Sequence, residues 1–280
     1  MSVMKQRAAR WSVYAAIAIA FAIACAYLSN WQFSRNEERA TMLALVAANY
    51  DAEPIDAATV LDQGFDPEDD EWHPVVMTGR YLTDQQLLVR NRAQGGTSAF
   101  EVLVPFELAD GRIVVVDRGW VAPGEHEVPK NVPPAPEGET TVIGRMRPGE
   151  PLPKSGRSAP DGQLPTIHLP SVAEVAGETT ETSFYLLMVS EDPAPATRPS
   201  ELASPTDDPG PHLSYAIQWI LFAIMGFVFI GYMIRTEIKA RREDAEDADD
   251  DEELPAAKMR AGRAPRKDRD ADEEDALLDA

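Results

Sequence analysis

The sequence predicts a membrane protein in which two transmembrane helices flank an extracytoplasmic, mainly antiparallel β domain, barrel- or sandwich-like and carrying short helices. Three observations lead there. Residues 11–28 are 18 positions without a charge and residues 215–234 are another 20. At 1.5 Å per residue each run makes about 27–30 Å of helix, close to the apolar thickness of a bilayer. Lys5, Arg7 and Arg10 precede the first run, and Arg235, Lys239, Arg241 and Arg242 follow the second. The positive-inside rule then predicts both termini in the cytoplasm and the middle of the chain outside. Between the two runs, short β-like segments succeed one another without long helices, which argues for an antiparallel sheet closed or folded onto itself. The expected divisions are a cytoplasmic N-terminus (1–10), a first transmembrane helix (11–28), the extracytoplasmic domain (29–214), a second transmembrane helix (215–234) and a charged, disordered cytoplasmic tail (235–280).

In the first apolar run Ala16, Ala20 and Ala24 recur at four-residue steps, as do Ala18, Ala22 and Ala26. Such stripes let a second membrane helix approach closely, although alanine is also simply a good helix former. Ala24-Cys25-Ala26 imitates a signal-peptidase site and Ala22-Ile23-Ala24-Cys25 a loose lipoprotein box. The run is long for a cleaved signal, so a retained helix is expected. Trp31 stands as an interfacial anchor, and the helical pattern continues outward through Leu43 and Val46 to about Asn49. Residues 51–72 are acidic, weakly periodic and lack the spacing of a calcium loop, and they read as solvated loop.

The strand expectations are residues 75–81 and 86–92 around Thr83-Asp84, then 100–108 and 112–121 around Ala109-Asp110-Gly111. Asp-Gly between apolar runs is a strong hairpin signal, and Val114-Val115-Val116 suits a buried strand. Residues 140–146 and 184–190 complete the set, separated by Pro-, Gly- and Ser-rich connections. A short helix is expected from Ser171, with Glu174 in capping-box position, to Gly177. Six prolines between 191 and 211 predict a stiff tether back to the membrane.

The formal net charge is −21; residues 29–214 hold 13 Lys+Arg against 30 Asp+Glu. So acidic a domain is a poor partner for a phosphate backbone, and nucleic acid is excluded as a partner on that ground. Cys25 is the sole cysteine, so no intramolecular disulfide can form and the domain must be held by its core. No phosphate loop, nucleophile elbow or His-Glu-x-x-His is present, soft copper ligands are lacking, and no enzyme activity is expected. His73, His126 and His168 are scattered and read as surface histidines.

Pro211-His212-Leu213-Ser214-Tyr215-Ala216-Ile217-Gln218-Trp219 sits at the mouth of the second apolar run. On a helix His212, Tyr215, Trp219, Phe222, Gly226 and Phe229 share one face. One reading is an imidazole above an aromatic slot, able to ligate a haem iron or meet a partner helix. The other is interface anchoring by Tyr215 and Trp219, with the first turn capped from Asp207 or Asp208. Arg118 likewise reads either as a contact for a partner or an anionic group, or as a strand-end pair with a nearby carboxylate.

Three stretches together resemble the surfeit locus protein one (Shy-type) family: Trp31-Gln32-x-x-Arg35 after the first helix, Asp110-Gly111-x-x-Val114-Val115-Val116-x-Arg118-Gly119-Trp120-Val121, and the His212 stretch. Gly79-Arg80-Tyr81 and Gly144-Arg145-Met146 match its glycine patterns as well. The chain departs from the family where Ser29-Asn30 replaces the usual glycine and Asp117 the common asparagine. The resemblance implies a bacterial cell-membrane assembly factor for haem-copper cytochrome c oxidase, assisting haem a insertion into, or maturation of, the catalytic subunit. The alternative is a lasting accessory subunit of the oxidase or a respiratory supercomplex, without haem handling. It implies transient haem a at His212, Tyr215 and Trp219. It also implies contacts with oxidase subunits, with the haem a synthesis machinery or with a supercomplex through Trp31, Gln32, Arg35, Arg118, Trp120 and Gln218.

Overall fold

A computed structural model describes residues 3–124, 128–129 and 131–252. The chain divides into a helical unit, Met1–Trp31 with Ser214–Ala280, and a β unit, Gln32–Leu213. Helix α1 covers Val3–Asn49, matching the expected outer end, and the division falls within it.

In the helical unit, Val13, Ile17, Ile23 and Tyr27 of α1 are more than half exposed, as are Leu221, Met225, Val228 and Phe229 of α4 (His212–Glu252). So many exposed large apolar side chains are stable only in lipid, and both helices are long and apolar enough to cross a membrane. The two helices touch at small residues, and the Phe21 ring of α1 lies over Gly226 of α4, where a Cβ would meet it at 3.3 Å. Cys25, Ser29 and Ala216 are buried, and the Ser29 hydroxyl donates to the Ala216 carbonyl (3.0 Å). Of the two alanine stripes, Ala18 and Ala22 are half-buried in line with Cys25 and Ser29, whereas Ala16, Ala20 and Ala24 are exposed. Small residues permit close approach, and the serine satisfies a polar group that lipid cannot. Helix α4 runs to Glu252, where a disordered tail was expected to be under way. Lys239–Glu243 and Arg241–Glu237 pairs at i,i+4 spacing support its polar portion. The rest of the predicted tail, and His126, lie outside the described residues.

The β unit is one eight-stranded sheet that closes on itself. Strand β2 (Pro74–Tyr81) pairs with β6 (Thr140–Pro148), β6 with β8 (Phe184–Asp192), β8 with β5 (Ile113–Val121) and β5 with β4 (Thr97–Leu108). The end of β4 then returns to β2, with Tyr81 opposite Phe106 and Gly79 opposite Leu108. The expected barrel-like form is therefore observed. The pairing is antiparallel except at β5–β8, at β1 (Ile55–Asp56) on β2, and at β7 (Gln163–Leu164) on β3 (Leu87–Gln94). The Asp-Gly hairpin joins β4 to β5, where Asp110 accepts from the Arg112 amide and pairs with its guanidinium.

Alternate residues build two cores. Val75, Met77, Val104, Phe106, Val114, Val116, Val142 and Leu186 form one buried cluster, the barrel interior. Val115, Leu103, Ile113, Leu87 and Val89 point the other way and are covered by Leu169, Val172 and Ala176 of α3 (Leu169–Ala176). The unbroken valine run thus exists because β5 is buried on both faces. Each such side chain contributes about 1.5–3 kcal/mol, which is what holds a domain without a disulfide.

Several expectations need correction. Helix α3 begins two residues before Ser171, because Pro170 is pre-set for a first turn; Ser171 bonds the His168 ring (2.8 Å) instead of opening a capping box. Residues 51–72 are not all loop: they hold β1 and α2 (Ala57–Gln63), where Asp56 caps the Ala58 amide and Ala57 and Val60 pack on the interior cluster. Ala57, Val60 and Leu61 do stand at i, i+3 and i+4, but one such repeat in seven residues is too short to mark a helix in an acidic stretch. The 191–211 stretch, expected as a stiff tether, begins within the end of β8 and is then docked on the β unit. Ser200 pairs with the Trp120 backbone, the Tyr50 hydroxyl donates to Ser204, and the Arg39 guanidinium donates to the Thr206 and Asp208 carbonyls. His73 and His168 are half-buried and locally bonded.

Closure depends on close backbone approach at Gly79, where a Cβ would lie 2.1 Å from the Glu107 carbonyl oxygen and 2.8 Å from the Phe106 ring. Gly79→Ala should therefore lower stability by about 3 kcal/mol in thermal denaturation of the detergent-solubilised chain, the upper range for overpacking. Thr78→Ala, on the exposed side of the same strand, should stay within about 0.5 kcal/mol of wild type.

Candidate functional site

The histidine singled out in the sequence opens α4, and its ring is half-buried. Its Nδ1 lies 2.9 Å from Oε1 of Gln32, which α1 brings from 180 residues away. An amide oxygen only accepts, so Nδ1 must carry the proton. In the neutral ring the lone pair then sits on Nε2, the atom free to ligate or accept. The expected helix cap from Asp208 is not formed: that carboxylate accepts instead from the Gly210 amide, closing the turn before the helix.

The other motif residues disperse. Arg35 is exposed and pairs with Glu38 one turn on (2.8 Å). Trp120 donates from Nε1 to the Glu201 carbonyl (3.0 Å), which holds the 199–204 strap on the sheet. Gly119, at φ 117°, makes room for that strap, since a Cβ would meet the Ser200 carbonyl oxygen at 2.3 Å. In the helical unit Trp31, Tyr215 and Gln218 are exposed, and Trp219 packs edge-to-face on Phe222 (5.7 Å).

Arg118 takes the pairing role. Its side chain is fully buried; Nε and Nη2 donate to the two Glu191 oxygens at 2.7 and 3.0 Å, and Nη1 donates to the Pro133 carbonyl. The Tyr81 hydroxyl donates to the same carboxylate at 2.6 Å, and burial beside Glu191 pushes that phenol far up. No part of the guanidinium faces outward to meet a partner. Glu191 was missed in the sequence because a lone glutamate at a strand end carries no signature.

Asp117, next along β5, points to the opposite face from Arg118 and is 1% exposed. Its Oδ1 accepts from the Gly119 amide (2.9 Å), while Oδ2 has no partner among the described residues. Burial, and then the nearby Glu101 charge, push its carboxyl well above the ordinary range. A protonated acid here has nearly the shape and donor of the asparagine common in the family pattern.

Breaking the buried pair should be severe. Arg118→Met or Glu191→Met alone should cost about 3–5 kcal/mol by thermal denaturation, and the double substitution distinctly less than the sum. For Asp117 the sign follows from the raised native pKa. Above about pH 3.9 the unfolded chain ionises while the native carboxyl stays protonated, so wild-type stability falls as pH rises toward that raised value. Asp117→Asn removes this loss, and its advantage should widen by about 1.4 kcal/mol per pH unit across that window. Parallel stability curves for the two proteins between pH 4 and 8 would contradict a protonated Asp117.

Comparison with known proteins agrees with the geometry. Residues 19–224 match the SURF1 family. An uncharacterised SURF1-like protein of Mycobacterium tuberculosis (strain ATCC 25618 / H37Rv) is 36% identical over 242 residues, 84% of this chain and 87% of the relative. A SURF1-like protein of Rickettsia bellii (strain RML369-C) is 25% identical over 220 residues, covering 74% and 84% respectively. The cytochrome oxidase assembly protein SHY1 of Saccharomyces cerevisiae (strain ATCC 204508 / S288c) is 30% identical over 100 residues, 34% of this chain and 25% of the yeast protein. With the match running from the first membrane helix, through the closed β unit, into the second, the chain is a membrane protein belonging to the SURF1 family.

Proposed function

We propose that this chain is an assembly factor for haem-copper cytochrome c oxidase, anchored in a bacterial cell membrane with both termini cytoplasmic and residues 29–214 on the outer side. The likeness to the yeast assembly protein carries the reading, on top of membership of the family. The flanking charges of the two apolar runs support the orientation. No covalent chemistry is part of the proposal. In the helical unit, exposed Trp31 and Gln218 offer side chains to meet oxidase subunits.

Within this role His212 is assigned to transient haem a. The fit rests on Gln32, whose carbonyl oxygen holds the proton on Nδ1 and leaves Nε2 as a ligand atom, the orientation an outer-shell acceptor imposes on an iron-binding imidazole. When bound, the haem would supply the iron, which His212 Nε2 would hold while Gln32 keeps the imidazole oriented.

Membranes of a strain lacking the chain should lose most of their haem a absorbance and cytochrome c oxidation. Wild type should restore both and His212→Ala should not, at equal immunoblot levels; unchanged oxidase in the deletion strain would sink the assembly role. Purified wild-type protein should show a Soret band that His212→Ala weakens, and an unaltered band would refute ligation by that side chain. Stoichiometric recovery with mature oxidase would favour a lasting subunit instead.

A further inference from the structure

On the outer face of the β unit lies a cleft of about 180 Å³. Its floor comes from three neighbouring strands in register: Asp117 of β5 opposite Leu187 of β8, and Leu187 opposite Arg145 of β6. Tyr50 and Trp72, with ring centroids 5.9 Å apart, make one wall, and the strap at Ser204 makes another.

The polar groups here are unevenly satisfied. Trp72 is 8% exposed and Asp117 1%, yet Trp72 Nε1 and Asp117 Oδ2 lack any hydrogen-bond partner among the described residues. Buried polar atoms are normally paired, so two residues of one cleft lining that each carry an orphaned polar atom point to a ligand there. Indole N–H and guanidinium groups only donate. Arg145 stacks on Tyr50 (3.6 Å to the centroid) and gives Nε to the Tyr50 carbonyl. Among the described residues the carboxylate that meets its charge is Asp51, 3.7 Å away and 92% exposed. The nearby Arg118 and Arg147 are each paired with a carboxylate, Glu191 and Glu71. A cation whose carboxylate partner is distant and exposed, lining the same cleft as an indole N–H and a carboxyl oxygen that lack partners, favours an anion with planar acceptor oxygens.

We propose that this cleft binds a carboxylate group, with Arg145, the Trp72 indole N–H and the Asp117 carboxyl as its donors. Burial keeps Asp117 protonated and so able to give its Oδ2 proton to the bound oxygen. The carboxylate belongs either to a small free acid or to an acidic side chain of a bound polypeptide. The site lies apart from His212 and stands whether or not the oxidase role holds.

The test uses the full chain in detergent, labelled with ¹⁵N, and follows the Trp72 indole resonance, identified by its loss in Trp72→Phe. Acetate should move that resonance saturably and raise the melting temperature by roughly 3 °C at ten times its dissociation constant. Chloride at equal ionic strength should do neither. Arg145→Gln should weaken binding at least tenfold, while Asp117→Asn, which keeps a donor, should retain it; the ligand-free melting temperature of each variant checks its fold. Tighter binding of acetyl-glutamate amide than of acetate would point to a polypeptide side chain, and the reverse to a free acid. An immobile Trp72 resonance, an equal response to chloride, or undiminished binding in Arg145→Gln would overturn the proposal.

Discussion

The buried Arg118–Glu191 pair, capped by the Tyr81 hydroxyl, is the constraint on which the β unit turns. It joins β5, β8 and β2 and reaches the 131–136 connection through Pro133. Two charges taken out of water are tolerated only when nearly every donor and acceptor is used, so these strands can meet in few ways. With that meeting in place, the return of β4 to β2 completes the ring. The remaining edges are the short strands β1 and β7, too small to recruit another sheet.

Strand alternation then sends consecutive residues of β5 to different tasks. Arg118 enters the barrel, Asp117 faces the outer cleft, and Gly119 yields its side-chain space to the strap. The strap is held along its length by Trp120, Tyr50 and Arg39, and it ends at the turn before His212. The Arg-Gly-Trp motif is therefore largely architectural. It controls the path by which the chain leaves the sheet, and hence where His212 meets Gln32.

The helical unit obeys a different solvent. Its fully buried residues are the small Cys25, Ser29 and Ala216, and where the large Phe21 meets α4 it does so over Gly226, so close approach depends on small residues throughout. The same physics explains why only one alanine stripe is used: Ala18 and Ala22 continue into Cys25 and Ser29, whereas the other stripe faces outward, where alanine serves only as a helix former.

Local chemistry was sufficient for much of this. Charge-free runs of membrane length, their flanking cations, the Asp-Gly hairpin and the six long strands were readable from residue order, since each depends on neighbours within about ten positions. The family motifs marked His212 and Arg118 as residues that matter. Their partners were not readable: Gln32 is 180 positions from His212 and Glu191 is 73 from Arg118, and neither has a local signature. Helix α2 and the docking of the proline-rich strap also escaped, because both are stabilised by surfaces that exist only once the barrel has closed. The tertiary structure alone decided that Arg118 is an internal tie, that Asp117 is a buried acid whose pKa is pushed up beside an open cleft, and that Gln32 orients the histidine, since each depends on which strands and helices become neighbours.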